Sequence, residues 1–484
     1  MALRAYLAIL LIVLSLGVLE TARSGVEIRT FKVGQTPVTA YARPQADGPV
    51  VVVAHGFAGS QQMMQGYALP LAQAGYRVFV FEFLGHGRNP VPMSGDVSAV
   101  EGTTRLLVEQ TLEVIEAVTD EGGTPALLGH SMATDILVRA ARLRSGLGPV
   151  VLISAFSNEV DATTPADMLL ISGAGEPHLR AFALDALRMV DPAAVEGGTA
   201  TAGPVIRRAV SAPFTEHVSV LHSRAGRAEA VAWIDRAFAR QSDVTILPTG
   251  WAILGLLAGL VLIFRRIARF VPDTSAAIAA PITPPTGRQT ALLILLPAAL
   301  APVIAVPLNP QFLPVLVADY LGLHLALYGA VQLGLLAFWG HIRWRVSLLG
   351  FAVLLAWCAV FGLALDRYAA NFWPTPGRLW IIVVLLVGAL PYMLADSVLA
   401  ANRGTFVRIS LRLGLLASLG IAVALDFEGL FFLMLIAPVL VLFYLVFGTM
   451  GRDMTARAGP VTSGLALGVV LAWALGVSFP LFQS

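Results

Sequence analysis

Ser131 sits in Gly129-His130-Ser131-Met132-Ala133, a spacing that could do nucleophilic chemistry. An apolar run, Ala126 to Leu128, stops abruptly there. A helical pattern follows, with Ile136, Leu137, Ala140 and Ala141 on one side. Strand, sharp turn and helix with a serine at the apex is the setting in which G-x-S-x-G spacing forms a nucleophile elbow. Gly129 is expected because the turn leaves no room for a Cβ. Ala133 stands where the second glycine usually falls, and it is the next smallest choice.

A serine hydroxyl is a weak nucleophile near neutral pH. It needs a base to take its proton and donors to hold the oxyanion that forms. For donors, the run Val51 to Ala54 ends in His55-Gly56-Phe57, a strand-to-loop junction whose N–H groups can face an anion. The N–H groups of Phe57 and Met132 are the expected pair, with His55 bracing the loops. For the base, the candidates are His55, His86, His130, His178, His217 and His222. His217 is preferred, because Phe214–Val218 follows the last expected strand and can reach back over the serine. His222 reads as surface or packing. For the acid that orients the base, Met168–Ser172 leads into Gly173-Ala174-Gly175-Glu176-Pro177. Glu176 can reach a histidine Nδ1–H from the next loop. A carboxylate placed at a helix start by Pro177 is the plainer alternative. Asp161 and Asp167 precede that strand, at the wrong end. No histidine pair has metal-ligand spacing, and there is no phosphate loop or dinucleotide fingerprint. No metal or cofactor is therefore expected.

These residues need a scaffold. Val26–Val33 and Pro37–Arg43 read as an antiparallel pair, Pro49–Ala54 as a buried strand and Gln61–Ala74 as a helix. Strands are expected at Arg77–Phe83, Val150–Ser154, Met168–Ser172 and Arg207–Ala212. Amphipathic helices are expected at Val100–Val118 and Arg224–Arg240. Alternation of strand and helix implies a mostly parallel sheet with helices on both faces. Its site should lie at the carboxyl ends of the strands, and each candidate residue follows a strand. The stretch between Ser154 and Met168 is short.

The remainder is of another kind. The 484 residues are 57% hydrophobic and 13% charged, against about 25% charged in soluble proteins. Charge thins out after about Arg240. Apolar runs suggest spans near 249–264, 291–308, 320–339, 346–365, 379–395, 411–425, 429–447 and 461–480. Ala5–Leu19, following Arg4, reads as an uncleaved signal anchor. Three parts are expected: the anchor over 1–24, an α/β domain over 25–245 and an all-α membrane domain of about eight helices over 246–484. The segment 273–290 reads as a proline-rich loop. Basic loops (Arg265, Arg266, Arg269, Arg288; Arg343, Arg345; Arg403, Arg408; Arg452, Arg457) alternate with loops that carry Asp319, then Asp366 with Arg367 and Arg378, then Asp426 and Glu428. That pattern puts the basic loops in the cytoplasm and the α/β domain outside it. Tyr320, His324, Tyr328 and Gln332 recur every four residues, a polar stripe on one helix face. Asp396 lies at the inner end of another span. Both invite a functional reading and a plainer one of interhelical hydrogen bonding. The lone Cys358 reads as packing. A net charge of +2 with no basic tract excludes a nucleic-acid partner.

The pieces His55-Gly56-Phe57, Gly85-His86-Gly87-Arg88, Gly129-His130-Ser131-Met132-Ala133, Gly173-Ala174-Gly175-Glu176-Pro177 and Glu216-His217-Val218 occur in the order serine, acid, histidine. With them, residues 25–243 resemble the α/β-hydrolase fold family of the dienelactone-hydrolase or serine-aminopeptidase type. The resemblance implies an esterase- or lipase-like serine hydrolase acting through Ser131, His217 and Glu176. Two departures stand out: Ala133, and Glu in place of the commoner Asp. Many members of the family it resembles insert a cap where this sequence has only the short stretch between Ser154 and Met168, which implies an open site. The membrane half resembles no family recognised here. A multi-pass protein of a bacterial inner membrane is expected, its hydrolase domain periplasmic and its substrate a small or lipid-like acyl compound close to membrane lipid. The alternatives are a transporter or sensor with an accessory hydrolase domain, or an acyltransferase using the same triad.

Overall fold

The computed structural model describes residues 2–96, 100–273 and 283–483. Much of the proline-rich segment expected over 273–290 lies outside the described residues.

After helix α1 (Ala2–Arg23) the chain builds a nine-stranded sheet in the order β1-β2-β4-β3-β5-β6-β7-β9-β8. The strands are β1 Glu27–Val33, β2 Thr36–Ala42, β3 Val50–Ala54, β4 Arg77–Phe81, β5 Ala126–His130, β6 Val150–Ile153, β7 Asp167–Gly173, β8 Thr199–Ala202 and β9 Val205–Ala212. β4, β3, β5, β6, β7 and β9 run parallel, and the edges are antiparallel. The central strands are apolar runs because both faces are covered. Period-two alternation sorts β3 cleanly. Val50, Val52 and Ala54 join one core with Leu107, Ile115, Leu137 and Ala186. Val51 and Val53 join the other with Met64, Tyr67, Leu71 and Trp233. The first core carries α3 (Arg105–Val118), α4 (Met132–Leu143) and α5 (Pro177–Arg188). The second carries α2 (Gln65–Gln73) and α6 (Arg224–Ala237).

Three local expectations change. The helix from Gln61 starts as a 3-10 turn over Gln61–Met64. The one expected from Val100 becomes regular only at Arg105, because Gly102 has a non-helical backbone (φ −84°, ψ −117°). β8 was not anticipated. Its small residues, three of them exposed, give little strand signal, and it forms only by pairing with β9.

The rest is helical: α7 Thr249–Ile267, α8 Gly287–Leu308, α9 Ala318–Phe338, α10 Leu348–Tyr368, α11 Pro376–Ala400, α12 Thr405–Leu425, α13 Leu433–Ala458 and α14 Pro460–Ser478. Among the described residues, nine helices, α1 included, are long and apolar enough to cross a membrane. That is the make-up of a multi-pass membrane protein. The short run read at 411–425 proves to be a 21-residue helix. α14 is the most enclosed. Glycines permit close helix contacts where packing replaces hydrophobic drive. A Cβ on Gly259 of α7 would lie 2.7 Å from the Ile12 side chain of α1, so α1 is seated against α7.

The bundle docks on the loop end of the sheet. Arg88 donates to Asp366 at 2.5 Å and to Asn371 at 3.2 Å. The Asn371 N–H donates to Ser60 Oγ (3.1 Å), and Gln65 Nε2 to the Arg367 carbonyl (3.0 Å). The tail beyond α14 threads into the α/β domain. Leu481 N–H donates to Gly85 O (2.8 Å), Met93 N–H to Leu481 O (2.9 Å) and Gln483 N–H to Met93 O (2.7 Å). The buried Arg378 of α11 donates to the Gly85 carbonyl at 2.8 Å and to the carbonyls of Gly476 and Phe479.

Candidate active site

Ser131 joins β5 to α4 with φ 54° and ψ −119°. Such a backbone costs about 1–3 kcal/mol and persists only where its surroundings hold it. Here Ser131 N–H donates to Ile153 O at 2.9 Å, and Ser131 O accepts from Thr134 N–H (2.8 Å) and Thr134 Oγ1 (2.7 Å). A Cβ on Gly129 would lie 2.6 Å from Leu137 Cδ1 and 3.1 Å from Ala133 Cβ. The helix therefore packs directly on the strand end, and the Ala133 methyl is accommodated because position 129 is bare. On the other side, a Cβ on Gly56 would lie 3.0 Å from Ser131 Cβ. That glycine lets the β3 loop approach the serine.

His217 Nε2 lies 2.8 Å from Ser131 Oγ, and His217 Nδ1 lies 2.6 Å from Glu176 Oε1. A carboxylate accepts, so Nδ1 carries the proton and Nε2 is left to accept from the serine hydroxyl. Glu176 ends the turn after β7 and immediately precedes α5. Both sequence-based placements describe it, but its side chain turns to the site rather than capping the helix. Its Oε2 accepts from Ser154 Oγ (2.7 Å) and Gly173 N–H (2.6 Å). Burial disfavours the charged carboxylate. The hydrogen bonds from His217, Ser154 and Gly173 outweigh it and hold the acid below its usual range.

The loop carrying His217 is pinned from several sides. His130 Nε2 lies 2.8 Å from the His217 carbonyl and donates to it, with the two rings 5.0 Å apart. Burial lowers His130 to about 4, so at neutral pH it is an uncharged donor with its proton on Nε2. Gly175 N–H donates to Thr215 O at 2.9 Å. Glu216, next to the base, faces away and accepts from Val218 and Ser219 N–H groups. Phe214 is fully exposed with φ 57°, and the His217 side chain keeps 44% of its surface open.

The N–H groups of Phe57 and Met132 have no partner among the backbone hydrogen bonds of the described residues. Met132 follows Ser131 directly, and Phe57 follows Gly56, which packs against the serine. His55 holds the Phe57 loop from below. Its Nε2 accepts from Phe83 N–H at 3.1 Å, and its Nδ1 donates to Gly56 O at 2.8 Å. His86 donates from Nδ1 to Leu84 O (2.8 Å) and packs edge-on against Phe57. Burial lowers it to about 3.

The other candidates stay away from the serine. His178 is exposed. His222 is half-buried behind Gly250 of α7, so it packs rather than faces solvent. Asp161 is tied to Thr163, Thr164 and Arg142, and Asp167 to Arg236 at 2.6 Å. Sequence reading missed Ser154, whose only signal is its place at the end of the strand between the elbow and the acid. It also missed Glu82, a fully buried acid 3.5 Å from His55 Nε2 under the same loop. Among the described residues no cluster of His, Cys, Asp or Glu could hold a metal ion.

The expectation of an open site holds only on the His217 side. The Phe57 side is roofed by the bundle: Phe57 lies 6.0 Å from Phe432 and 6.5 Å from Phe482. The segment between Ser154 and Met168 holds no cap, and what covers Phe57 comes from the bundle and the tail.

The sheet and the elbow define an α/β hydrolase, here fused to a membrane bundle. Within that class, residues 45–180 match the family described as "Serine aminopeptidase, S33", a stretch that includes Ser131 and Glu176 but ends before His217. No curated protein matches the chain. Among solved structures it is similar to a dienelactone hydrolase of Anabaena variabilis (17% identity, 44% of this chain and 97% of that one, TM-score 0.33). It is also similar to an epoxide hydrolase of Vigna radiata (22% identity, 27% and 41%, TM-score 0.23) and one of an endophytic Streptomyces (26%, 27% and 38%, TM-score 0.23). The chain thus spans about two-fifths of those epoxide hydrolases.

Proposed function

We propose that the protein is a membrane-embedded serine hydrolase that cleaves an ester, thioester or amide through an acyl-enzyme. The observation that carries this reading is the unbroken chain Ser131 Oγ–His217 Nε2, His217 Nδ1–Glu176 Oε1 at 2.8 and 2.6 Å. Ser131 Oγ attacks the carbonyl carbon while its proton passes to His217 Nε2. Glu176, already ionised, favours the imidazolium that forms. The N–H groups of Phe57 and Met132, the latter at the start of α4, receive the oxyanion. His217 returns the proton to the leaving group. A water activated by the same Nε2 then releases the acyl group and regenerates the serine.

The site faces the extracytoplasmic side in this reading, in the inner membrane of a bacterium. Support comes from the loops that meet the hydrolase domain. Segments 309–317, 369–375 and 426–432 and the tail 479–483 contain no Lys or Arg, and the two arginines that flank them, Arg367 and Arg378, are held by Glu20 and by the Gly85 carbonyl. Arg265, Arg269, Arg343, Arg345, Arg403 and Arg457 lie at the opposite ends of the helices, and cytoplasmic loops are the ones enriched in such residues. α1, seated on α7, serves as an uncleaved anchor.

The test is fluorophosphonate labelling of the full chain in nanodiscs. The wild type is labelled and Ser131→Ala is not; undiminished labelling of the variant would falsify the assignment. An impermeant probe on intact spheroplasts labels the same serine if the site faces outward, and leaves it untouched if the topology is reversed.

A further inference from the structure

Between the hydrolase domain and the bundle lies a cavity of about 220 Å³. Its walls include Phe57 from the β3 loop, Phe432, Ile436 and Val439 from the start of α13, Leu475 of α14 and Phe482 of the tail. Charged side chains are absent from its lining. The one hydroxyl there, Ser478 Oγ, is spent on Ala474 O at 2.7 Å. We propose that this cavity receives the hydrocarbon chain of the acyl group whose carbonyl is presented to Ser131, so that the substrate class is a long-chain acyl compound drawn from the membrane. The inference rests on the serine-hydrolase reading and adds the substrate to it.

Position carries the argument first. Phe57 lines the cavity and also offers the candidate oxyanion N–H. Gly56, one residue earlier, is so close to the serine that a Cβ there would lie 3.0 Å from Ser131 Cβ. The loop that approaches the serine at Gly56 is therefore the loop that walls the cavity at Phe57. The cavity also reaches the outside of the bundle: Leu435 lines it and keeps 52% of its own surface exposed. That surface belongs to a helix that meets lipid in a membrane, which gives a chain a path that avoids water.

The walls are built rather than left over. The tail is held by hydrogen bonds from Leu481 N–H to Gly85 O, from Phe482 N–H to Pro314 O (2.8 Å each) and from Gln483 N–H to Met93 O (2.7 Å). Phe57 of the hydrolase domain meets Phe432 of the bundle and Phe482 of the tail at 6.0 and 6.5 Å, so the wall needs both parts of the molecule. Chemistry then selects the occupant. Uncharged apolar walls reward hydrocarbon and exclude a phosphate or sugar headgroup, whose desolvation nothing here offsets. The volume is smaller than the ~300–1,000 Å³ of a pocket for a whole ligand, which suits one chain with the rest of the molecule outside.

The experiment uses n-alkyl fluorophosphonates from ethyl to dodecyl on the full chain in nanodiscs. The rate of Ser131 labelling rises roughly threefold to fourfold per methylene while the chain fills the cavity, then levels off. In Val439→Trp the ratio of the octyl to the ethyl rate falls tenfold or more. A flat wild-type series, or an unchanged ratio in a folded variant, overturns the proposal. Should the tryptophan variant not fold, wild-type protein acylated with a probe bearing a terminal diazirine decides. Photocrosslinks within 432–439 and 475–482 support the cavity; crosslinks confined to lipid or to the rest of the hydrolase domain overturn it. Failure of every probe, ethyl included, to label Ser131 sinks the hydrolase reading itself, a separate outcome.

Discussion

The molecule holds two polar constellations built round a histidine and a serine, one half-open in the hydrolase domain and one buried in the bundle. In the first, serine, histidine and acid make a chain with one end unspent. In the second, His324 accepts from Tyr320 O–H at Nδ1 (3.1 Å) and donates from Nε2 to Ser418 Oγ (2.9 Å), which donates in turn to Ala298 O (3.1 Å). Gln332 Nε2 donates to Leu293 O at 2.8 Å. Tyr392 and Tyr444 share a hydrogen bond at 2.6 Å, the Arg412 guanidinium lies 3.8 Å over the Tyr444 ring, and Arg412 pairs with Asp396 at 3.5 Å. The His324 chain starts within α9 at Tyr320, crosses to Ser418 of α12 and ends on the Ala298 carbonyl of α8. No nucleophile there sits on a strained backbone, and these side chains are buried. The difference teaches that a polar cluster becomes a candidate reaction centre when an atom is left reachable and held against its own preference. Ser131 meets both conditions, and His324 meets neither. Three of the four stripe residues, Tyr320, His324 and Gln332, are engaged in hydrogen bonds, which suits helix-to-helix fastening.

The sharpest way to break this contrast is to exchange the losses. Ser131→Ala is expected to lower hydrolysis of an activated ester by roughly 10⁶-fold or to background, whereas His324→Leu leaves it within about twofold of wild type; comparable losses in both would end the distinction. Glu176→Gln is expected to cost on the order of 10⁴ in kcat, as the loss of a tautomer-holding acid does. A loss below tenfold would mean that Glu176 acts chiefly as a helix-start carboxylate. His130→Phe removes the donor that pins the His217 carbonyl and should lower kcat by roughly 10- to 100-fold through misplacement of the base. His130→Gln should recover part of it, and equal defects in both variants would argue for simple packing.

The pH response follows from the same residue. Folded His130 titrates at about 4 and folded His86 at about 3, against 6.5 for an ordinary histidine. Between those values the unfolded chain binds the extra protons, so stability is fully present above pH 6.5 and declines as the pH falls towards 4 and then 3. The thermal midpoint of the full chain should fall over that window, and less steeply in His130→Gln. The smallest effect belongs to the bundle. Ser418→Ala should destabilise it by about 1 kcal/mol with labelling of Ser131 unchanged; a slowed labelling rate would show that the two constellations communicate.

Much of the site was legible because each piece follows a strand with a local signature: an apolar run into Gly-His-Ser, another into His-Gly-Phe, a third into Gly-Ala-Gly-Glu. The spans were legible from length and apolarity alone. Ser154 and Glu82 were not, since nothing in a single serine at a strand end, or in one acid between Phe81 and Phe83, says which atoms they will face. β8 was missed because its strand character comes from its partner. The roof over Phe57 was missed for a stronger reason: its residues lie more than 250 positions from the loop they cover.

Side-chain type and short-range period therefore determined the parts of this protein: a strand-and-helix domain with a serine at one strand end, an apolar remainder, and arginines sorted to alternate turns. Those properties are local, because burial and backbone preference act over a few residues. Only the tertiary structure decided that Glu176 turns from its helix towards His217, that the His324 chain ends on the Ala298 carbonyl of another helix, and that the last residues of the chain complete the wall beside Phe57. Each of these depends on which groups far apart in sequence compete for the same hydrogen-bonding atom or the same volume, and that competition is settled only when the chain is packed.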